Sequence, residues 1–153
     1  MSTLVNGRVF DGESIHDHAG LRIADGRIVE RFTGPADDGE PALDLQGHLL
    51  APGLIDLQVN GGGGVLFNDA PSVATLRTIA AAHRRFGTTG FLPTLISAPP
   101  EAMERAVEAV REALAAGVPG VLGIHLEGPF LDPAARGIHA ERHLRPLRED
   151  DLE

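Results

Sequence analysis

Between Leu54 and Leu126 the chain alternates between two kinds of apolar pattern, and this alternation limits the possible folds more than any other feature. Runs of strand length, Leu54 to Asn60, Gly90 to Ile96 and Val121 to Leu126, are separated by two stretches of helical periodicity. A parallel strand pair needs a long crossover, and its strands are covered on both faces, so this pattern predicts βαβ units on a parallel sheet. The first helix is predicted from about Ser72 to Phe86. Ser72 is a capping residue, Val73, Leu76, Ala80 and His83 share one face, and Gly87 follows the last turn. In the second helix Pro99 and Pro100 suit the first turn, and Glu101 and Glu104 favour the positive N-terminal end. Met103, Val107, Val110 and Leu114 form its apolar stripe and Gly117 stops it. Pro93, inside the second strand, predicts a bulge or an early strand end.

Residues 1 to about 50 follow a different grammar, that of short antiparallel strands. Leu21 and Ile23 alternate with polar residues, Asp25-Gly26 is a tight-turn pair and Ile28-Val29 resumes the apolar pattern, which together predict a hairpin. Leu43 and Leu45 add one strand before Gly47, and Thr33 to Pro41, rich in Gly, Pro and Asp, reads as a solvated loop.

Thirteen basic residues against twenty-two acidic ones leave a formal charge of -9, with no Lys/Arg cluster to break the acidic average. That balance disfavours nucleic-acid and anionic-membrane partners and fits a small-molecule site. The absence of Tyr and Trp argues mildly against an aromatic platform for stacking bases. Absent cysteine excludes disulfides and thiolate-metal sites. No basic stretch followed by an apolar core opens the chain, and no segment approaches about 18 consecutive apolar residues, so the expected location is cytoplasmic.

Three segments carry candidate chemistry. On the strand ending at Asn60, side chains two apart share a face, which puts Asp56, Gln58 and Asn60 on one side and Leu57 and Val59 on the other. Polar residues on a covered face need either backbone partners or a ligand. Glu127 ends the third strand, before Gly128-Pro129, where α/β folds hold ligands and metals. Its carboxylate can fill one coordination position of a hard or borderline divalent cation, or simply act as a loop charge. His125, two residues earlier, faces the same side and reads as a packed, hydrogen-bonded core residue. In the loop Arg136 to Ala140, His139 can orient a substrate or polarise a carbonyl, with a plain surface histidine as the alternative. His16, His18, His48 and His143 have no site-like spacing. Gly61 to Gly64 resemble a phosphate cradle only loosely, because no Lys-Ser/Thr pair or Gly-x-Gly-x-x-Gly spacing accompanies them.

Three blocks in this order resemble the N-terminal part of the N-acetylglucosamine-6-phosphate deacetylase family of the amidohydrolase superfamily. They are Ala51 to Gly61, Phe86 to Thr94, and Gly123 to Leu131 with Gly137-Ile138-His139 following. The Pro-Gly-x-Ile-Asp opening is shared across the superfamily, whereas the combination is specific, and the resemblance covers essentially the whole chain. It implies an α/β fold in which 51–153 is the truncated start of a (β/α)8 barrel, about its first three βα units. Residues 1–50 would be the N-terminal part of a small, antiparallel β-sandwich domain. It also implies hydrolysis of the acetamide of N-acetylglucosamine 6-phosphate to acetate and glucosamine 6-phosphate.

Most amidohydrolases carry two metal-binding histidines where this chain has Gln58 and Asn60. Amide oxygens bind zinc less well than imidazole does, so the resemblance implies a single divalent ion, zinc with iron or another as alternatives. Glu127 would be its direct ligand and Gln58 a neighbour acting in the second layer or through water. Ile138 and His139 would touch the substrate, with Asn60 and His125 nearby. The family's other metal-binding histidines and its general acid/base aspartate are expected beyond Glu153, since a full barrel takes about 250 residues. A truncated, inactive portion is therefore expected, and a homodimer for the full-length enzyme. Another amidohydrolase activity and a non-catalytic role are the alternatives.

Overall fold

The computed structural model describes residues 1–36 and 41–151. They form two compact units, which divide between Pro52 and Gly53.

The first unit is one mixed sheet. Strands β1 (Ser2–Phe10), β2 (Ile15–Ala24), β3 (Arg27–Thr33) and β4 (Ala42–Asp44) lie in the order β3-β2-β1-β4, and β5 (Leu49–Leu50) also pairs with β1. The predicted hairpin is β2–β3. Its two-residue turn, Asp25-Gly26, has both residues at positive φ, 50° and 72°, the backbone that matches the twist of a two-residue hairpin. A core of Val9, Ala19 and Leu21, flanked by Leu4 and Leu50, anchors one face. The expectation of antiparallel strands throughout needs correction, because β4 and β5 run parallel to β1. Alternation determines which face a strand buries but says nothing about the direction of its partner. Here β1 is interrupted at Asn6-Gly7, and the same break lies opposite the Gln46-Gly47 turn between β4 and β5, where Asn6 O accepts from Gly47 N–H. Part of the predicted Thr33 to Pro41 loop, residues 37–40, lies outside the described residues.

The second unit is α/β. A parallel sheet in the order β10-β9-β6 is built from β6 (Leu54–Val59), β9 (Thr88–Ile96) and β10 (His125–Glu127). Helices α1 (Val73–Arg84) and α2 (Pro100–Ala115) join the strands. A continuous core runs through Val59, Phe67, Leu76, Ile79, Phe91, Leu95, Val110 and Val121. Ser72 caps α1 as predicted, its side chain accepting from Thr75 N–H at 3.2 Å.

Four expectations for this unit are revised. The third strand is not a continuous run from Val121. Val121 makes one bridge to Phe91, the ladder then lapses, and strand structure returns only at His125. Leu122 instead packs over Gly90, where a Cβ would crowd its Cδ1. The strict face alternation of β6 also fails, since its register with β9 shifts between Asp56 and Val59. Leu57 is consequently exposed while Val59 is buried, although an unbroken strand would put both on one face. Pro93 does not end β9, and the irregularity it predicted appears in β6, whose Val59 pairs with it. In α2 the buried face is Ala106, Ala109, Val110 and Ala113, with Val107 and Leu114 close to half exposed. Small side chains on that face let the helix approach its neighbours closely, so size rather than hydropathy chose it.

Gly61 to Gly64 build a small hairpin, β7 (Gly61–Gly62) and β8 (Val65–Leu66), with Gly63 and Gly64 in its turn at positive φ. His83 of α1 donates through Nε2 to Gly61 O at 2.9 Å and stacks on Phe91, which explains these glycines by packing rather than phosphate binding.

Candidate functional site

In a parallel sheet all strands end on the same side, so residues far apart in sequence gather there. Gln58 near the end of β6, Ser97 just past β9 and Glu127 at the end of β10 meet in this way, and the loop after β10 brings His139 to them. Gln58 Nε2 donates to Glu127 Oε2 at 2.9 Å, and His139 Nε2 lies 3.3 Å from Glu127 Oε1. Each carboxylate oxygen thus faces one donor.

His139 is buried, at 5% exposure, which removes the surface-histidine alternative. The loop folds back through a single 3₁₀ turn, Pro133–Ala135, capped by Asp132, and Arg136 then accepts from His139 N–H while its guanidinium donates to His139 O at 3.0 Å. On its inner side the imidazole meets Ser97. Nδ1 is 2.9 Å from Ser97 Oγ and accepts from Ser97 N–H at 3.3 Å.

The other candidates are placed differently. His125 Nδ1 bonds Thr94 Oγ1 at 3.1 Å, so it is tied to β9 rather than to Glu127. Asp56 Oδ1 accepts from Gln58 N–H, and Asn60 O accepts from Phe67 N–H, so these two brace the strand end and the following hairpin. Ile138 projects outward, 83% exposed, leaving its backbone beside the buried His139.

Sequence reading missed Ser97 and Asn68. The Asn68 side chain clamps both polar groups of Ile96, Nδ2 donating to its O at 3.2 Å and Oδ1 accepting from its N–H at 3.1 Å. It acts as a short surrogate strand that holds the end of β9 where Ser97 begins. Ser97 was within reach of the rule that strand ends carry function; nothing local marks Asn68. Gly128, in the predicted Glu-Gly-Pro stop, has φ 86°, and a Cβ there would collide with Ser97 Oγ. Glycine at this position lets β10's exit pass close over the serine.

Among the described residues no three His, Cys, Asp or Glu side chains converge as a metal site. The donor chemistry around Glu127 fits one coordination position for a divalent ion and no closed shell. The described residues also contain no helix long and apolar enough to cross a membrane.

This chain is similar to known amino-sugar phosphate deacetylases. It is 41% identical over 145 residues to an N-acetylgalactosamine-6-phosphate deacetylase of Shewanella sp. (strain ANA-3), a match covering 93% of this chain and 37% of the relative. It is 42% identical over 127 residues to the N-acetylglucosamine-6-phosphate deacetylase of Haemophilus influenzae, covering 82% of this chain and 33% of the relative. The crystal structure of N-acetylglucosamine-6-phosphate deacetylase from Pasteurella multocida superposes with a TM-score of 0.93 at 34% identity, over 99% of this chain and 40% of that one. The chain therefore spans about a third of the length of the curated relatives it matches. No family model matches it.

Proposed function

We propose that these residues form part of an N-acetylglucosamine-6-phosphate deacetylase, a hydrolase that removes the acetyl group from the amino sugar and releases acetate. The observation that carries this reading is the cluster of Gln58, Glu127 and His139 at the C-terminal ends of parallel strands, in a chain so similar to such deacetylases. In this reading the second unit is the start of a (β/α)8 barrel and the first belongs to a small β-sandwich. The protein is a soluble cytoplasmic enzyme, a homodimer at full length, with a sugar phosphate as its partner.

Glu127 would supply the anionic ligand of a single divalent ion, zinc or iron, with Gln58 beside it. Rotation of the Gln58 amide would offer its oxygen to the ion or to its water in place of the present N–H. When bound, the ion would polarise the acetamide carbonyl and lower the pKa of a water molecule. This chain's own contributions are then distinct. Glu127 fixes charge at the strand end, and His139, whose Nδ1 is occupied by Ser97, carries an Nε2–H that faces Glu127 Oε1. That N–H would donate instead to an oxygen that gains negative charge once the carboxylate oxygen held the ion. Ile138 and His139 form one wall for the substrate. Among the described residues no further metal ligand and no proton-transferring aspartate joins this cluster.

The Shewanella relative favours a second reading, that of the galacto epimer as substrate. Acetate release by the full-length polypeptide, measured on both 6-phosphates and on unphosphorylated N-acetylglucosamine, tests the proposal. Preference for N-acetylglucosamine 6-phosphate supports it. Preference for the galacto epimer selects the second reading, and no release from either phosphate rejects both.

A further inference from the structure

Ser97 carries two hydrogen-bond donors, and both lie within hydrogen-bonding distance of one atom. Its backbone N–H points at His139 Nδ1, and its Oγ lies 2.9 Å from the same nitrogen. A backbone N–H can only donate, so Nδ1 is the bare nitrogen of the ring. The hydroxyl, which has Glu127 O and this nitrogen as its two acceptors, shares the single Nδ1 lone pair with the N–H, since Nδ1 is the nearer. Turning its hydrogen toward Glu127 O, 3.4 Å away, would set an oxygen lone pair against the nitrogen lone pair at 2.9 Å. With Nδ1 filled as an acceptor, the ring proton sits on Nε2, facing Glu127 Oε1. Ser97 is 8% exposed and His139 5%, so water does not compete for these bonds.

We infer that Ser97 is a positioning residue, which fixes the tautomer and ring angle of His139 so that Nε2–H is always presented to the site. Its own position is over-determined. The Asn68 clamp on Ile96 fixes the backbone immediately before it, and Gly128 closes over its side chain. A group held by second-layer bonds of this kind stays aimed without reorganisation when charge develops in front of it. The geometric part of this inference stands without the deacetylase reading; its kinetic consequence rests on it.

The test uses ¹⁵N-histidine-labelled chain at one fixed, near-neutral pH. The wild-type spectrum is expected to give His139 a protonated Nε2 and an unprotonated, hydrogen-bonded Nδ1. In Ser97→Ala the Nδ1 resonance moves toward that of a less hydrogen-bonded nitrogen, and Ser97→Thr, which keeps the hydroxyl, holds it near the wild-type position. In the full-length polypeptide Ser97→Ala lowers kcat roughly 10- to 100-fold, the usual cost of losing such a partner, and Ser97→Thr restores most of it. A protonated Nδ1 in the wild-type chain overturns the inference even if the alanine variant does not fold. An unmoved Nδ1 resonance or an unchanged kcat in a folded Ser97→Ala variant does the same. A wild-type polypeptide that deacetylates nothing defeats the functional reading alone and leaves the spectrum to decide this one.

Discussion

Gln58 and Glu127 are joined by a 2.9 Å amide–carboxylate hydrogen bond although 69 residues separate them. They sit on β6 and β10, the two outer strands of a three-stranded sheet, so the contact reaches across the end of β9. Only a parallel order brings both strand ends to one side. The strand–helix alternation that dominates the sequence is thus the reason the two side chains can meet.

Removing the charge at Glu127 should disconnect the site. In the full-length polypeptide Glu127→Gln is expected to lower metal affinity and turnover together. The loss should be at least roughly the 10- to 100-fold that follows removal of a supporting partner. Elemental analysis beside an acetate assay measures it. Wild-type metal content in the variant would show that Glu127 is not a ligand.

Gly128→Ala should be costly despite its small size. The residue has φ 86°, and the added methyl would run into Ser97 Oγ. Backbone strain of this kind amounts to about 1–3 kcal/mol, so the urea midpoint is expected to fall measurably. His139 should lose its ordered contact with Ser97 in the same variant. An unchanged midpoint would mean that β10's exit adapts without strain.

The core of the second unit offers a contrast between two phenylalanines. Phe91 is 2% exposed and stacked on His83, whereas Phe86 is 82% exposed at the end of the first helix. Phe91→Ala is expected to cost about 3–5 kcal/mol and Phe86→Ala less than about 0.5. Chemical denaturation of both variants checks this, and equal losses would contradict the assigned core.

A pH prediction concerns the β1–β2 connection. Asp11 accepts from the backbone N–H groups of Ser14 and Glu13 and pairs with His16 Nε2 at 2.6 Å. The Ser14 bond foremost, then the His16 side chain, hold its carboxyl well below the usual carboxylate range. Because the folded value is depressed, these bonds stabilise the turn fully above the ordinary carboxylate pKa. They are lost only as pH falls through the lower, folded value. Carboxyl ¹³C shifts of Asp11 followed during acidification should show this late titration, and a midpoint at the ordinary value would refute it.

The residues that were legible in the sequence are those whose reason is local. Ser72, Asp25-Gly26 and Gly117 punctuate elements through their own backbone chemistry, and each stands where it was expected. The parallel α/β arrangement followed from periodicity. Partner-dependent features were not legible. The parallel pairing of β4 and β5 with β1, the lapse between Val121 and His125 and the alanine face of α2 are set by what lies opposite them. In the site, Glu127 was visible because it interrupts an apolar run beside Gly-Pro. The burial of His139 was not, since its loop reads as polar and it is Ser97, 42 residues away in the chain, that covers its Nδ1.

The central claim is that Glu127 marks the metal-holding corner of the site, and anomalous scattering from crystals of the zinc-loaded, full-length polypeptide tests it most directly. The account predicts one peak per subunit, bonded to the Glu127 carboxylate at about 2.0–2.2 Å with Gln58 beside it. No peak at Glu127, or a second peak of equal height at Gln58 and Asn60, would contradict it.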